Sequence, residues 1–141
     1  MIIAVDFDGT IVTHEYPKIG REIPFAIDTL KRLQQSPEYQ LILWTVREGK
    51  ELDEALDYCR NRGLEFYAVN SNYPEEEAEH NEPRKLKADL FLDDRNLGGL
   101  PDWGIIYQMI VSGKFLEPVT NEVQSEYNSP RKGLFQTIFG K

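Results

Sequence analysis

Two carboxylates two positions apart follow an apolar stretch at the start of the chain. Residues 1–5 are all apolar, and they run directly into the sequence Asp6-Phe7-Asp8-Gly9-Thr10. If the backbone stays extended here, Asp6 and Asp8 project to the same side, because successive side chains of a strand alternate between its faces. Carboxylates in such a pair could serve as a nucleophile and as a proton carrier. Gly9 permits the tight backbone that must follow.

A second acidic pair, Asp93-Asp94, also follows an apolar segment. Four carboxylates at one site would repel one another without a cation, since buried like charges disfavour joint ionisation. Mg²⁺ prefers oxygen ligands and is typically held by one or two carboxylates together with the phosphate oxygens of a substrate. We therefore expect a phosphorylated substrate and a bound Mg²⁺, with ligands drawn from Asp6, Asp8, Asp93 and Asp94. The alternative for the second pair is a simple cap on the turn after a strand.

Four apolar segments predict the buried strands that have to position these residues. They lie at residues 1–5, 40–44, 66–69 and 90–92. Apolar residues at helical spacing predict three helices, which lie at residues 24–35, from residue 50 to Gly63, and at residues 103–111. Strands that alternate with helices in this way are typical of βαβ units, and hence of a parallel sheet with right-handed crossovers.

A parallel sheet would bring the candidate residues to one edge. In such sheets ligands bind beyond the carboxyl ends of the strands, where the strand order reverses. Asp6 and Asp8 follow the first predicted strand, Thr45 follows the second, and Asp93 and Asp94 follow the fourth. We therefore expect all five side chains to lie together at the carboxyl edge.

In their order along the chain, these motifs resemble the four motifs of the haloacid dehalogenase (HAD) superfamily. The matching segments are Asp6-Phe7-Asp8-Gly9-Thr10, Thr45, Lys85 and Asp93-Asp94. The resemblance covers roughly residues 1–113 and implies a three-layer, Rossmann-like α/β fold in which helices flank a parallel sheet. Most members of the superfamily are Mg²⁺-dependent phosphatases, so the resemblance also implies a phosphohydrolase that acts on phosphate monoesters.

The resemblance implies a role for each matching residue. Asp6 would be the nucleophile that forms an aspartyl-phosphate, and Asp8 the general acid and base. Thr45 would bind the phosphoryl group, and a lysine would stabilise it. By analogy with the K-x-x-A-D arrangement of the superfamily that lysine is Lys85, and Lys87 is the alternative.

Three further assignments complete the predicted site. The acidic pair Asp93-Asp94 would help to hold Mg²⁺. Gly9 and Arg47 are predicted to contact the substrate together with Thr45 and Lys85. For Arg47 the alternative is a cap on the second helix, and the sequence does not separate the two.

Superfamily members select substrates through cap domains, for which this chain leaves no room. Only a short loop separates Thr10 from the first helix, and residues 45–85 are already occupied by a predicted helix, strand and loop. We therefore expect a capless core domain over residues 1–113. The loops at residues 11–21 and 70–84 would then shape selectivity, because loops at the carboxyl edge carry function.

Residues 114–141 form a C-terminal extension without a clear periodicity. Its apolar side chains are expected either to pack back onto the domain or to form an interface with another copy of the chain. They are Leu134, Phe135, Ile138 and Phe139.

Composition narrows the classes of partner. The chain of 141 residues carries 16 basic and 24 acidic residues, a net charge of −8 that argues against general nucleic-acid binding. No apolar run approaches the roughly 20 residues needed to cross a bilayer, and no secretory signal precedes the first strand, so a soluble cytoplasmic protein is expected. The single cysteine, Cys59, lies in a helical pattern and is expected to pack.

Three alternative functions compete with hydrolysis. A phosphotransferase of the same superfamily would pass the phosphoryl group from Asp6 to an acceptor other than water. A phospho-accepting receiver domain would use similar residues, but it places the phosphorylated aspartate after an early acidic pair, whereas here the Asp-x-Asp motif comes first. A non-catalytic module that binds a phosphorylated ligand is the third alternative.

Overall fold

The structure is a computed structural model that describes residues 1–76 and 84–115. The described elements are four strands and three helices in a mixed α/β order, as the sequence predicts. They are β1 (Ile2–Val5), α1 (Ala26–Gln35), β2 (Gln40–Leu43), α2 (Gly49–Arg60), β3 (Ala68–Val69), β4 (Leu90–Leu92) and α3 (Trp103–Ser112).

The four strands form one parallel sheet in the order β3-β2-β1-β4. Val5 lies opposite Leu43 on one side and opposite Leu92 on the other, so the carboxyl ends of the three strands are level. The chain moves outward from β1 through β2 to β3 and then returns to the opposite side of β1. The strand order therefore reverses between β1 and β4, which places the ligand-binding crevice of such sheets between these two strands. The predicted Rossmann-like parallel arrangement is confirmed.

Both faces of the sheet are apolar, which explains the unbroken apolar runs of the sequence. Ala4, Ile42 and Ala68 belong to one cluster of buried residues, together with Leu86 from the segment before β4. Side chains alternate along a strand, so Ile3, Val5, Leu41 and Leu43 project to the other face, where all four are buried.

Helices α1 and α2 carry the predicted apolar stripes. Ile27, Leu30 and Leu33 of α1 are buried. This helix begins at Ala26 rather than Pro24 because Phe25 adopts a left-handed conformation with φ of 66°. In α2, Ala55 and Cys59 are buried, which confirms that the cysteine packs. Burial raises the pKa of the Cys59 thiol to about 12, so it does not form a thiolate near neutral pH.

The third strand is shorter than predicted. It comprises only Ala68 and Val69, although the amide of Tyr67 also donates to the carbonyl of Leu41 at 2.8 Å. β3 lies at the edge of the sheet, where it pairs with β2 alone, so hydrogen bonds to a single strand determine how long it is. The fourth strand matches its prediction at Leu90–Leu92.

The chain divides into two compact units, Met1–Gly104 and Ile105–Lys141. The first contains all four strands, α1 and α2, and no cap domain is inserted among its described residues. Most of α3 belongs to the second unit. The predicted boundary near residue 113 stays a prediction, and the apolar side chains from Leu134 to Phe139 lie outside the described residues. No helix within residues 1–76 and 84–115 has the length and apolar character that crossing a bilayer requires.

Candidate functional site

Three carboxylates converge where β1 and β4 end. Asp6 follows β1, Asp93 and Asp94 follow β4, and the amide of Asp6 donates to the carbonyl of Leu92 at 2.9 Å. One carboxylate oxygen from each aspartate lies within 4.8 Å of the other two. Three partly buried, hard oxygen donors so close together could hold a divalent metal ion. We call Asp6, Asp93 and Asp94 the acidic triad.

The acidic triad perturbs the ionisation of Asp6. Burial raises the pKa of Asp6 from 3.8 to about 7, and the negative charge of Asp93 adds to this rise. Hydrogen bonds from the Phe7 amide and the Thr10 hydroxyl act in the opposite direction. Without a cation, this site therefore retains a proton on Asp6 close to neutral pH. A bound cation would favour the ionised carboxylate.

Thr10 connects the two halves of the acidic triad. Its hydroxyl donates to Asp6 Oδ2 at 3.1 Å, lies 3.5 Å from Asp94 Oδ1 and accepts a hydrogen bond from the Asp94 amide at 3.1 Å. The indole of Trp103 donates to the Thr10 carbonyl at 3.0 Å. Thr10 is fully buried and was not predicted as a site residue. Its position as the last residue of the motif Asp6-Phe7-Asp8-Gly9-Thr10 is the feature of the sequence that could have identified it as a site residue.

Gly9 allows Asp94 to approach β1. Its φ is +84°, and a Cβ atom at this position would overlap the Asp94 carboxylate. A side chain here would thus both strain the backbone and displace a member of the acidic triad. The predicted contact between Gly9 and a substrate stays a prediction.

Asp8 lies apart from the acidic triad, which corrects the expectation that its carboxylate joins the other three around a metal. Both of its oxygens accept hydrogen bonds from Arg47, with Nε 2.6 Å from Oδ2 and Nη2 2.7 Å from Oδ1. Asp8 is 7% exposed and Arg47 is 0% exposed. The two residues are 39 positions apart in the chain, so the sequence pattern did not reveal the pair.

The Arg47 guanidinium is surrounded by acceptor groups of the protein. Besides Asp8, its guanidinium donates to the carbonyls of Pro17 at 3.1 Å, Lys18 at 2.8 Å and Glu51 at 3.3 Å. These bonds use all five N–H donors of the side chain. Arg47 is thus buried with all its donors used inside the protein, and the predicted substrate contact stays a prediction. The alternative, a cap on the second helix, also stays a prediction, although Arg47 does contact the first turn of α2 through the Glu51 carbonyl.

Thr45 lies just beyond the end of β2, as predicted. Its amide donates to Asn70 Oδ1 at 2.8 Å, and its hydroxyl accepts a hydrogen bond from the Arg47 amide at 3.1 Å. Asn70 itself follows β3 with φ of 51°. These local bonds fix Thr45 at the carboxyl edge of the sheet.

The two candidate lysines are both exposed. Lys85 Nζ lies 5.4 Å from the centroid of the Phe91 ring, and within the described part of the chain no ion pair joins it to the acidic triad. The amide of Lys87 donates to Asn72 Oδ1 at 2.7 Å. The choice between Lys85 and Lys87 therefore stays open.

Comparison with solved structures identifies a close relative. A structure described as the conserved protein coded by a locus from Bacteroides thetaiotaomicron is 66% identical in sequence, with a TM-score of 0.73. The match covers 80% of this chain and 91% of the relative. This chain belongs to the family of that protein. No protein-family model matches the chain, and a search of curated proteins also finds no match.

Within this family fold, the predicted site residues fall into two groups. Asp6, Asp93 and Asp94 meet at the crevice between β1 and β4. Asp8 instead pairs with Arg47, which also donates hydrogen bonds to the loop carbonyls of Pro17 and Lys18. The site therefore combines a cluster of negative charge with a neighbouring buried ion pair.

Proposed function

We propose that this protein is a capless, Mg²⁺-dependent phosphohydrolase of the HAD superfamily that cleaves phosphate monoesters through an aspartyl-phosphate on Asp6. The observation that carries the proposal is the convergence of Asp6, Asp93 and Asp94 within 4.8 Å at the point where the strand order reverses. The order of the sequence motifs supports the same class.

The donor set fits a hard divalent cation. Three carboxylates at one point suit the oxygen preference of Mg²⁺. Burial and, secondly, the negative charge of Asp93 raise the pKa of Asp6, and a bound cation would offset both effects. Asp6, Asp93 and Asp94 would hold the ion. When bound, Mg²⁺ would stabilise the negative charge of the phosphoryl group during transfer.

In the first step, a carboxylate oxygen of Asp6 attacks phosphorus. The bond between phosphorus and the leaving oxygen breaks, the electron pair goes to that oxygen, and Asp8 supplies its proton. In the second step, a water molecule attacks the phosphorus of the aspartyl-phosphate and gives a proton to Asp8. The Asp6–phosphorus bond breaks, which regenerates the carboxylate and releases inorganic phosphate.

Two further groups would bind the phosphoryl oxygens. The hydroxyl of Thr45 lies at the carboxyl end of β2, beside β1, and one of Lys85 and Lys87 would bring a positive charge. Thr10 would orient Asp6 through its hydroxyl, which donates to Asp6 Oδ2.

A screen of phosphate monoesters tests this proposal. Wild-type protein and Asp6→Asn are incubated with each ester in Mg²⁺ or in EDTA, and inorganic phosphate is measured. Hydrolysis by the wild type in Mg²⁺ alone, lost in Asp6→Asn, is expected. Transfer of the phosphoryl group to an added alcohol without phosphate release would favour a phosphotransferase, and no turnover of any ester would contradict the proposal.

A further inference from the structure

We propose that Arg47 is a positioning residue that orients the Asp8 carboxylate and fastens the loop around Tyr16, Pro17 and Lys18 beside it. This inference rests on the proposed function, because it assigns Arg47 to the proton-transfer step of that reaction. Arg47 has no counterpart among the motifs that the sequence matches.

The fork of the guanidinium fixes the orientation of Asp8. Nε and Nη2 each donate to a different carboxylate oxygen, at 2.6 Å and 2.7 Å. Two parallel charge-assisted bonds define the plane of the carboxylate as well as its position, which a single contact would not do. Proton transfer depends on such alignment, because displacement of a catalytic group by about 1 Å can cost as much as roughly 100-fold in rate.

The surroundings of Arg47 hold the fork in place. The Pro17 and Lys18 carbonyls accept from Nη1 and Nη2, and the Glu51 carbonyl accepts from Nη1. The guanidinium carbon lies 5.1 Å from the ring centroids of both Phe7 and Tyr16. The guanidinium is thus held by contacts from the segment that follows β1, from the loop around Pro17 and from α2. It cannot rotate without breaking several of these bonds.

The arrangement is specific to arginine. A lysine ammonium carries the charge but lacks the rigid fork that binds both carboxylate oxygens at once. A buried ion pair is by itself weak evidence for a purely structural role, since proteins in which both partners are replaced by apolar residues of similar volume are often equally stable. The positioning role and the structural role therefore make different predictions for the rate of turnover.

A double-mutant cycle in kcat separates the two roles. The variants are Arg47→Met, Asp8→Asn and the combination, with hydrolysis of p-nitrophenyl phosphate in Mg²⁺ as the assay. If Arg47 acts through Asp8, Arg47→Met lowers kcat on the order of 10- to 100-fold at nearly constant KM, and it has little further effect in the Asp8→Asn background.

Two additional variants guard against effects of misfolding. Arg47→Lys keeps the buried charge, and we expect it to fold yet to recover only a small part of kcat. Leu33→Ala removes a buried side chain of α1, far along the chain from the motifs, and should lower stability while leaving kcat unchanged below its unfolding temperature.

The outcomes distinguish this inference from the proposed function. Equal losses of kcat for Arg47→Met in the wild-type and Asp8→Asn backgrounds would overturn the positioning role while leaving hydrolysis intact. Full activity of Arg47→Lys would also overturn it, because the fork would then be dispensable. Absence of turnover by the wild type would refute the proposed function, and this inference with it.

Discussion

The surroundings of Asp6 disfavour the ionised form of its carboxyl group. Its pKa rises from 3.8 to about 7, chiefly through burial and secondly through the charge of Asp93. A raised folded-state pKa means that the protonated form is favoured in the folded protein. The corresponding stability is present at acidic pH, and the metal-free protein loses it as the pH rises from about 4 through about 7.

The expected loss is on the order of 2 kcal/mol, after allowance for solvent screening of this partly exposed group. Urea unfolding in EDTA at about pH 5 and about pH 8 measures it, and Asp6→Asn should show a smaller decrease between the two. An identical decrease in the wild type and in Asp6→Asn would show that another group governs the pH dependence.

Arg47 and Asp8 form a pair whose loss should be costly for folding. Arg47→Met leaves the Asp8 carboxylate buried without its partner, and such removal typically costs about 3–5 kcal/mol of unfolding free energy. The exposed pair of Arg60 and Asp57, with 2.9 Å between Nη1 and Oδ1, provides a matched control. Arg60→Met should cost less than about 1 kcal/mol. If chemical denaturation shows a similar loss of unfolding free energy for both variants, burial of the Arg47–Asp8 pair does not increase its contribution to stability.

At the scale of elements, the turn after β1 has to admit the carboxylate that follows β4. Gly9→Ala should weaken metal binding, because its Cβ would displace the Asp94 carboxylate. Gly98→Ala is the control, since Gly98 has a similar φ of +88° but no neighbouring atom near its added Cβ. Both variants should lose stability, while calorimetric titration with Mg²⁺ should show weaker binding for Gly9→Ala only. Equal affinity of the two variants would argue against this close approach.

The elements themselves follow closely from the sequence. β1 and β4 are predicted well because each is an apolar run that ends directly at an aspartate, and β2 because Leu41, Ile42 and Leu43 form a similar apolar run. The start of α1 is displaced because Phe25, an aromatic residue, occupies a left-handed conformation that propensity does not anticipate. The sequence predicted that the sheet is parallel, but it did not predict the order of the strands within the sheet.

The candidate site was predictable in its backbone positions and less so in its side-chain partners. Asp6, Asp93 and Asp94 meet because strand ends in a parallel sheet are level. Asp8 was expected beside them, but the partner that captures it comes from the segment after β2. The pairing of Asp8 with Arg47 depends on how two loops pack against each other, and the pattern of a single sequence does not predict loop packing.

At the scale of the whole molecule, a bound cation should stabilise the fold. A ligand at about 100 times its dissociation constant adds about 2.7 kcal/mol when it binds only the folded state. Mg²⁺ should therefore raise the unfolding temperature of the wild type relative to EDTA, and Asp93→Asn should show little rise. Asp57→Asn, on the exposed face of α2, should respond like the wild type. A full response in Asp93→Asn would exclude Asp93 from the metal site.

The net charge of −8 bears on the kind of substrate. An acidic surface does not attract polyanions, so a phosphate group has to be drawn in by the bound cation and a few placed side chains. The described residues include no cap domain, so the loops around the acidic triad would control which substrates reach it.

If Asp6 is the nucleophile, it carries the phosphoryl group during turnover, and this intermediate can be detected directly. The wild-type protein is mixed with p-nitrophenyl phosphate and Mg²⁺, quenched in acid within the first turnovers, digested and examined by mass spectrometry. We expect one added phosphoryl group on the peptide that contains Asp6, localised to that residue and absent in EDTA. Steady release of phosphate with the phosphoryl group on another residue, or with none on the protein at any time, would contradict this role of Asp6.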